Sequence, residues 1–359
     1  MKKKIMFVVE AFGGGIFTYI QELSNSLIDE FDITIVYSIR RQTPTNFKNL
    51  FDNRVKFIYL KEFTRTISPI NDIRAFFRLR RINGLERPDI IHLHSSKAGV
   101  IGRWAFDDKE QTLFYTPHGY SFLMSNQSKF KRLLFKYIEI ISAKRKCVTI
   151  ACSLGEYKES RAINKQSVYI NNGVDTEQID GDILHLKATN KHVDRRTIFT
   201  IGRISYQKNP DLFNKIALCL PQYKFIWIGD GELRSSLTAD NIEVTGWQSR
   251  HQVLEIANQS NIFILTSRWE GLPMSLLEAM YLRKVCIVSD VIGNHDVIIS
   301  GQNGFVCKSS DEFVNDILQQ IGVNNSNAIT ETAHEDVVKS YSLDVMSNKY
   351  RELYSDTLR

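Results

Sequence analysis

Short apolar runs alternate with helical patterns along almost the whole chain, and that alternation constrains the fold more than any other feature. The runs cover residues 5–9, 33–37, 56–60, 90–93, 112–115, 148–152 and 168–170, then 197–201, 225–228, 242–244, 262–265 and 285–288. Between them, residues 17–27, 73–82, 210–220, 250–257 and 273–282 place apolar side chains at helical spacing. Strands that are apolar on both faces need helices on both faces, so the pattern predicts an α/β architecture with doubly wound parallel sheets. At 359 residues the chain is long for one core, and the runs fall into two sets. The segment 178–196 is polar without strong periodicity and reads as a linker. The boundaries that follow are 1–180, a linker over 181–196, a second domain over 197–341 and a terminal helix within 342–359. That helix carries Val345, Met346, Tyr350, Leu353 and Tyr354. Ligands of such sheets sit at the carboxyl ends of the strands, so two facing domains would place the site in the cleft between them.

Composition narrows the function classes. Five widely spaced cysteines without a CxxC pair argue against a disulfide framework or a zinc site, and for a reducing compartment. The lysines at positions 2–4 resemble a signal-peptide head, but the apolar run behind them stops at Glu10, too short for a leader. No stretch approaches the roughly 18 apolar residues of a membrane span. The expected location is the cytoplasm. A net charge of only +6 and the lack of a recognised module speak against nucleic acid. The basic excess is local. Residues 129–146 hold seven basic residues and one acid, and residues 74–81 form a second cluster. Arg74, Arg78 and Arg81, and Lys129, Lys131, Arg132 and Lys136, alternate with apolar residues at helical spacing. That pattern suits an anionic membrane surface or a lipid diphosphate, and equally the solvated face of a core helix.

The strongest chemical motif is Ser267-Arg268-Trp269-Glu270-Gly271-Leu272-Pro273-Met274, followed by Glu278. A strand, a turn and a helix start bring backbone N–H groups and the helix dipole to one point, which favours an anion. Glu270 lies on the loop and Glu278 about two turns further on, on the same helical face if the helix starts near Pro273. Acceptors around an anion pocket suit a ligand with both phosphate and hydroxyls, such as a nucleotide-sugar. The segment from Thr200 through Gly202 and Arg203 to Lys208 and Pro210 is a strand, a glycine and two cations ahead of a helix. Arg203 offers a planar fork for phosphate and Lys208 a point charge. Two cations can neutralise a leaving diphosphate without a metal.

Other signals are weaker alone. Gly13-Gly14-Gly15 opens a helix after the first strand and could cradle phosphate, but it lacks the third glycine and the acidic partner of a dinucleotide site. His118, in Thr116-Pro117-His118-Gly119, ends another strand and can reach a ligand, although a lone histidine is more often structural. His92 and His94 share a strand face, so a metal pair is conceivable, but no third ligand is evident. Asp180-Gly181-Asp182 has the DxD form of some metal-dependent transferases and reads here as a turn. Gly229, with Asp230-Gly231-Glu232, and Gly246-Trp247 are sharp strand-end loops, either nucleotide contacts or simple turns.

Taken together, Gly14-Gly15, His118 in Thr-x-His-Gly, Gly202-Arg203 with Lys208, and Glu270 with Glu278 resemble the retaining glycosyltransferases of family four, which have the GT-B fold. The likeness spans nearly the whole chain in the right order. The wording of residues 92–99 and 115–122 is similar to bacterial capsule and exopolysaccharide members. The resemblance implies an acceptor-binding first domain, a donor-binding second domain and a last helix that crosses back to the first. It implies that Arg203 and Lys208 bind the donor diphosphate and that Glu278 holds the ribose hydroxyls. Glu270 would contact the sugar, with the amides of Gly271, Leu272, Pro273 and Met274 near it. Gly14 and Gly15 would approach the phosphates, and His118 the sugar near the reacting centre. It implies retention of anomeric configuration and no metal or other cofactor. The expected reaction is transfer from a uridine-diphosphate sugar to a lipid-diphosphate-linked saccharide at the inner face of the cytoplasmic membrane, although the sequence itself does not give the donor base. Two departures bear on donor identity. Arg283 and Val285 stand where the family usually has Gly and Pro, and its Gly-x-Pro-Glu loop reads Gly293-Asn294-His295-Asp296. Two other functions are compatible with the sequence: a GT-B sugar-nucleotide epimerase and a non-catalytic subunit of a polysaccharide-synthesis complex.

Overall fold

The computed structural model describes residues 2–64, 66–106, 109–187, 194–322 and 327–356. The chain divides into two compact units, residues 1–172 with 343–359, and residues 173–342. In the first, strand β1 (Lys3–Phe12) leads through helix α1 (Gly14–Leu27) to β2 (Phe31–Ile39) and β3 (Lys56–Tyr59). Then α2 (Pro69–Glu86), β4 (Ile90–His94), α3 (Ser96–Ala105), β5 (Thr112–Thr116), α4 (Lys129–Ser142), β6 (Val148–Ala151), α5 (Leu154–Ile163) and β7 (Ser167–Tyr169) follow. The seven strands form one parallel sheet in the order β3-β2-β1-β4-β5-β6-β7. The chain reverses its direction of winding between β1 and β4, and ligands of open α/β sheets bind outside such a point.

The second unit opens with α6 (Thr176–Lys187) and β8 (Asp194–Ile201). It continues through α7 (Pro210–Cys219), β9 (Lys224–Ile228), β10 (Ile242–Gly246), α8 (Arg250–Gln259), β11 (Ser260–Leu265), α9 (Met274–Tyr281), β12 (Val285–Ser289), β13 (Phe305–Cys307), α10 (Ser310–Gly322) and α11 (Asn327–Ser340). Its six strands run parallel in the order β10-β9-β8-β11-β12-β13. The chain then re-enters the first unit as α12 (Leu343–Asp356).

Apolar burial explains both sheets. On one face of the first, Ile5, Phe7 and Val9 pack with Tyr19, Ile20 and Leu23 of α1 and with Met346, Tyr350 and Tyr354 of α12. On the other face Met6 and Val8 meet Ala75 and Leu79 of α2 and Ala98 of α3. In the second sheet Ile198, Trp227, Ile262 and Ile287 pack against Phe213 and Ile216 of α7 and Phe313 and Ile317 of α10.

The segment 178–196 departs from the sequence reading. Residues through 187 are helical, Asp180-Gly181-Asp182 lies inside α6 rather than in a turn, and the unit boundary falls at residue 172. Asp175 caps this helix, accepting the Gln178 N–H at 2.9 Å, and Ile179 is its fully buried anchor. One cap and one buried apolar residue generate no visible period. Positions 188–193 of the expected linker, and residues 357–359 of the tail, lie outside the described residues. Strand β13 was not legible either, since three residues carry no alternation.

Candidate functional site

In the second unit, two glutamates flank the start of α9. Glu270 is buried beside Lys208, with Nζ 2.7 Å from Oε1. Ser267 Oγ donates to the same oxygen at 2.6 Å, and Gln207 Nε2 lies 3.3 Å from Oε2. Gln207 also donates to the Trp269 carbonyl at 3.0 Å, so the Lys208 loop and the Glu270 loop are stitched together. Glu278, likewise buried, pairs through Oε1 with Arg250 at the first position of α8. Its second oxygen has no hydrogen-bond partner among the described residues. Arg250 escaped the sequence reading because nothing near it marks a site. The only signal is its place behind the Ser249–Gln252 capping box that opens α8.

No side chain caps α9 at Pro273, so its first N–H groups keep their capacity for an anion. Gly271, Leu272 and Met274 are buried around this start. Arg203 lies 3.8 Å from Glu232 and is half-buried. Thus the structure joins Lys208 to Glu270, whereas Arg203 pairs with Glu232.

The glycines here serve the protein's own backbone. A Cβ on Gly229 would stand 2.2 Å from the Gly202 carbonyl oxygen. That same carbonyl accepts from Trp227 Nε1 at 2.8 Å, so the β8 and β9 loops interlock too closely for any side chain. Gly246 forms a bridge with Gly229, and Trp247 beyond it is 50 % exposed, available to a planar ligand.

The two departures from the family pattern have local explanations. Arg283 takes a left-handed conformation (φ 56°) just past α9, where Lys284 N–H bonds back to Ala279 O at 3.0 Å. Glycine is the usual occupant of that helix-ending position. The Lys284 ammonium is buried against Ser260 O at 2.9 Å, and burial pushes it down to about 8. In the second loop Asn294 is buried and donates to Ser289 O at 3.0 Å, while His295 contacts Asp290 at 2.7 Å. Gly293 backs directly onto Gly271, where a Cβ would lie 2.3 Å from the carbonyl oxygen. This loop therefore supports the Glu270 turn from behind.

In the first unit, α1 starts at Gly14 (φ 58°) with no side-chain cap, and Gly14 and Gly15 are exposed. His118 also has a positive φ, 55°, and is half-buried. Its Nε2 lies 3.0 Å from His94 Nδ1, and the Tyr19 ring meets it edge-on at 4.8 Å. Burial pushes His118 down to about 3, so it is neutral at physiological pH. His92 is closed off by Tyr354 at 2.7 Å and Thr116 at 2.8 Å. Both of its nitrogens are thereby occupied, which removes the His92–His94 metal pair. Among the described residues no group of three or more His, Cys, Asp or Glu side chains could hold a metal. A further cluster not read from sequence sits where the sheet winding reverses: Glu10, buried, takes Arg40 and, at 3.2 Å, Ser95.

The basic helices turn apolar side chains outward. On α4, Phe130 (75 % exposed), Leu133 (67 %), Tyr137 (60 %), Leu134 and Ile140 line one stripe, with Lys129 and Lys131 exposed beside them. The inner side is anchored by the buried pair of Glu139 with Arg103 of α3, and Tyr115 donates to Glu139 at 2.9 Å. Arg132 donates to Phe122 O at 2.8 Å, and Lys136 lies 3.8 Å from Glu159, so these two also serve the fold. On α2, Ile70, Ile73 and Phe77 are exposed beside Arg74, Arg78 and Arg81, while Ala75, Leu79 and Ile82 face the core. Among the described residues no helix is long and apolar enough to cross a membrane.

Two Rossmann-like parallel sheets with this strand order make the chain a GT-B protein. Anabaena HepE, solved in complex with UDP-glucose, has the same fold at a TM-score of 0.79, with 18% identity, 98% of this chain and 99% of that one covered. Residues 13–178 match the model described as Glycosyltransferase Family 4, and residues 184–331 the one described as Glycosyl transferases group 1. The chain belongs to the glycosyltransferases of family four. An Escherichia coli relative, UDP-Gal:alpha-D-GlcNAc-diphosphoundecaprenol alpha-1,3-galactosyltransferase, is 29% identical over 91% of this chain and 90% of its own. A Campylobacter jejuni relative, GalNAc-alpha-(1->4)-GalNAc-alpha-(1->3)-diNAcBac-PP-undecaprenol alpha-1,4-N-acetyl-D-galactosaminyltransferase, is 23% identical over 86% of each chain.

Proposed function

We propose that this glycosyltransferase moves a hexose or N-acetylhexosamine from a UDP-sugar to a saccharide carried on a lipid diphosphate, in bacterial capsule or related surface-polysaccharide synthesis. It does so with retention and without a metal or other cofactor, at the cytoplasmic face of the membrane. The observation that carries the reading is the pair of carboxylate–cation contacts, Lys208–Glu270 and Arg250–Glu278, set around the uncapped start of α9. The names of the two relatives support the donor and acceptor classes.

The chemistry follows from charge. As the bond between the anomeric carbon and the phosphate oxygen breaks, the diphosphate gains negative charge. Lys208 keeps two N–H donors beyond the one on Glu270, Arg203 adds a planar fork, and the α9 amides point to the same anion. One such cation at 4 Å contributes about 4 kcal/mol before desolvation, at an effective dielectric near 20. The free oxygen of Glu278 accepts from a ribose hydroxyl, and Glu270, fixed by three donors, orients the sugar. The acceptor oxygen bonds to the anomeric carbon on the face the diphosphate leaves, and its proton passes to the departing phosphate oxygen. Protein work is then positioning and stabilisation of the leaving group. The outward stripes of α4 and α2, rimmed by Lys129, Lys131, Arg74, Arg78 and Arg81, seat the enzyme on an anionic bilayer where its acceptor resides.

Thermal unfolding of the full chain against a nucleotide panel tests the donor. UDP and one UDP-sugar raise the midpoint with chelator present, by about 2.7 kcal/mol of added stability at a hundredfold excess over Kd, and Arg203→Ala abolishes the shift. Stabilisation only by another nucleotide, or only with a divalent metal, overturns the reading.

A further inference from the structure

The buried pair of ring nitrogens behind the Thr116-Pro117-His118-Gly119 turn has only one consistent arrangement of protons. His94 has no exposed surface. Its Nδ1 faces His118 Nε2 at 3.0 Å, and the two rings are nearly parallel (23°) with centroids 5.3 Å apart, so the contact runs edge to edge, in plane. One nitrogen must donate and the other accept. His94 Nε2, on the far side of the ring, is buried with no hydrogen-bond partner. The His94 ring packs among aromatic rings, with the Phe7 and Tyr19 centroids 5.5 and 5.8 Å from its own. If His118 donated, the His94 proton would sit on that orphaned nitrogen, leaving a buried N–H with no acceptor, which native interiors avoid. If His94 donates, the orphan is a bare ring nitrogen among apolar neighbours, and the one buried N–H of His94 is paired.

We infer that His94 is a positioning residue that donates its Nδ1–H to His118 Nε2, so that His118 presents Nδ1–H toward solvent and substrate. The His118 ring nitrogen left over has no partner among the described residues. The loop histidine is thereby a fixed hydrogen-bond donor, suited to an oxygen acceptor on the sugar substrate. Its left-handed backbone is held from the other side, where Gly119 N–H donates to Glu156 Oε1 at 2.6 Å. Behind His94 stands His92, with ring centroids 4.0 Å apart, and His92 is pinned by Tyr354 of α12. Tyr19, which packs edge-on against His118, donates to the Tyr350 hydroxyl of the same helix. The C-terminal helix, remote in sequence, therefore buttresses the orientation of both rings. The burial that keeps all three histidines neutral maintains the single shared proton.

Substrate contact by His118 rests on the proposed transferase function; the proton arrangement does not. Long-range ¹H–¹⁵N correlation spectra of the histidine-labelled wild-type chain read the arrangement directly. The expected pattern is a protonated Nδ1 and an accepting Nε2 for His118, assigned by loss of its signals in His118→Ala. A protonated His118 Nε2 overturns the inference. Transfer assays then test its use. His94→Asn, whose amide sits where Nδ1 does and can donate, keeps turnover within about threefold, whereas His94→Leu loses about 10–100-fold in kcat with little change in donor KM. His94→Asp accepts from His118 and reverses its polarity. Groups facing His118 are then the introduced carboxylate, Tyr19, His92 and, through Gly119, Glu156, so its proton affinity rises. Activity of this variant should recover as pH falls and His118 carries both protons, opposite to the wild type. Equal activity of the Leu and Asn variants overturns the positioning role. Unchanged transfer by His118→Ala would instead remove His118 from the substrate site and leave the tautomer result standing.

Discussion

Replacing Phe130 and Leu133 of α4 by serine tests the membrane-seating surface with a magnitude that the structure sets. The two side chains are 75 % and 67 % exposed, so about seven-tenths of each is available for transfer into the bilayer interface. Full burial of such a side chain is worth about 1.5–3 kcal/mol, which leaves about 1–2 kcal/mol each and about 3 kcal/mol for the pair. At about 1.4 kcal/mol per tenfold, the double variant should lose roughly 100-fold in partition coefficient. The assay is co-sedimentation with large vesicles containing anionic lipid, with urea unfolding as the control. Stability should stay within about 0.5 kcal/mol, because neither side chain packs in the core. Lys129→Gln and Lys131→Gln should each weaken binding about fivefold on anionic vesicles and not on zwitterionic ones. A change of less than about threefold in the serine double variant would refute the reasoning and return α4 to the role of a solvated helix.

Three further outcomes follow from buried ionisable groups. Lys208→Ala leaves the buried Glu270 with only Ser267 and Gln207 and should lower unfolding stability by about 1–3 kcal/mol. Adding Glu270→Gln should recover part of that loss, and strict additivity would show that the contact is not a pair. Glu139→Leu strands Arg103 in the core at about 3–5 kcal/mol, and Arg103→Met in the same chain should restore most of it. If the single variant unfolds like wild type, the anchor beneath α4 is misassigned. His92, His94 and His118 are all shifted down by burial, so the unfolded chain binds more protons below pH 6.5. Stability present above that pH is therefore lost as pH falls from 6.5 through the lowered folded-state values, at up to about 1.4 kcal/mol per pH unit per histidine. Urea midpoints that stay flat between pH 7 and 5 would contradict this.

Most of the fold was legible because strands buried on both faces announce themselves as apolar runs. Edges were less so: β13 is three residues long, and α6 is marked by little more than Asp175 and Ile179. The Glu270–Glu278 spacing pointed to an anion site because chain-local geometry fixes it. Arg250 and the His94–His118 contact were not visible, since both depend on register between elements far apart in sequence. The histidine pair on β4 left a metal conceivable from sequence, though without a third ligand, and Tyr354 from the returning helix occupies His92 instead. Outward-facing α4 is the converse case. Its pattern was plain, but a helical stripe looks the same whether it faces core or solvent, and only exposure decides.

The most direct test supplies the purified enzyme with labelled UDP-sugars and an undecaprenyl-diphosphate-linked saccharide in chelator, and reads the product by lipid extraction and NMR of the new linkage. The account requires label in the lipid fraction with the anomeric configuration of the donor. An inverted linkage, an absolute need for metal, or epimerised nucleotide-sugar without lipid product would contradict it.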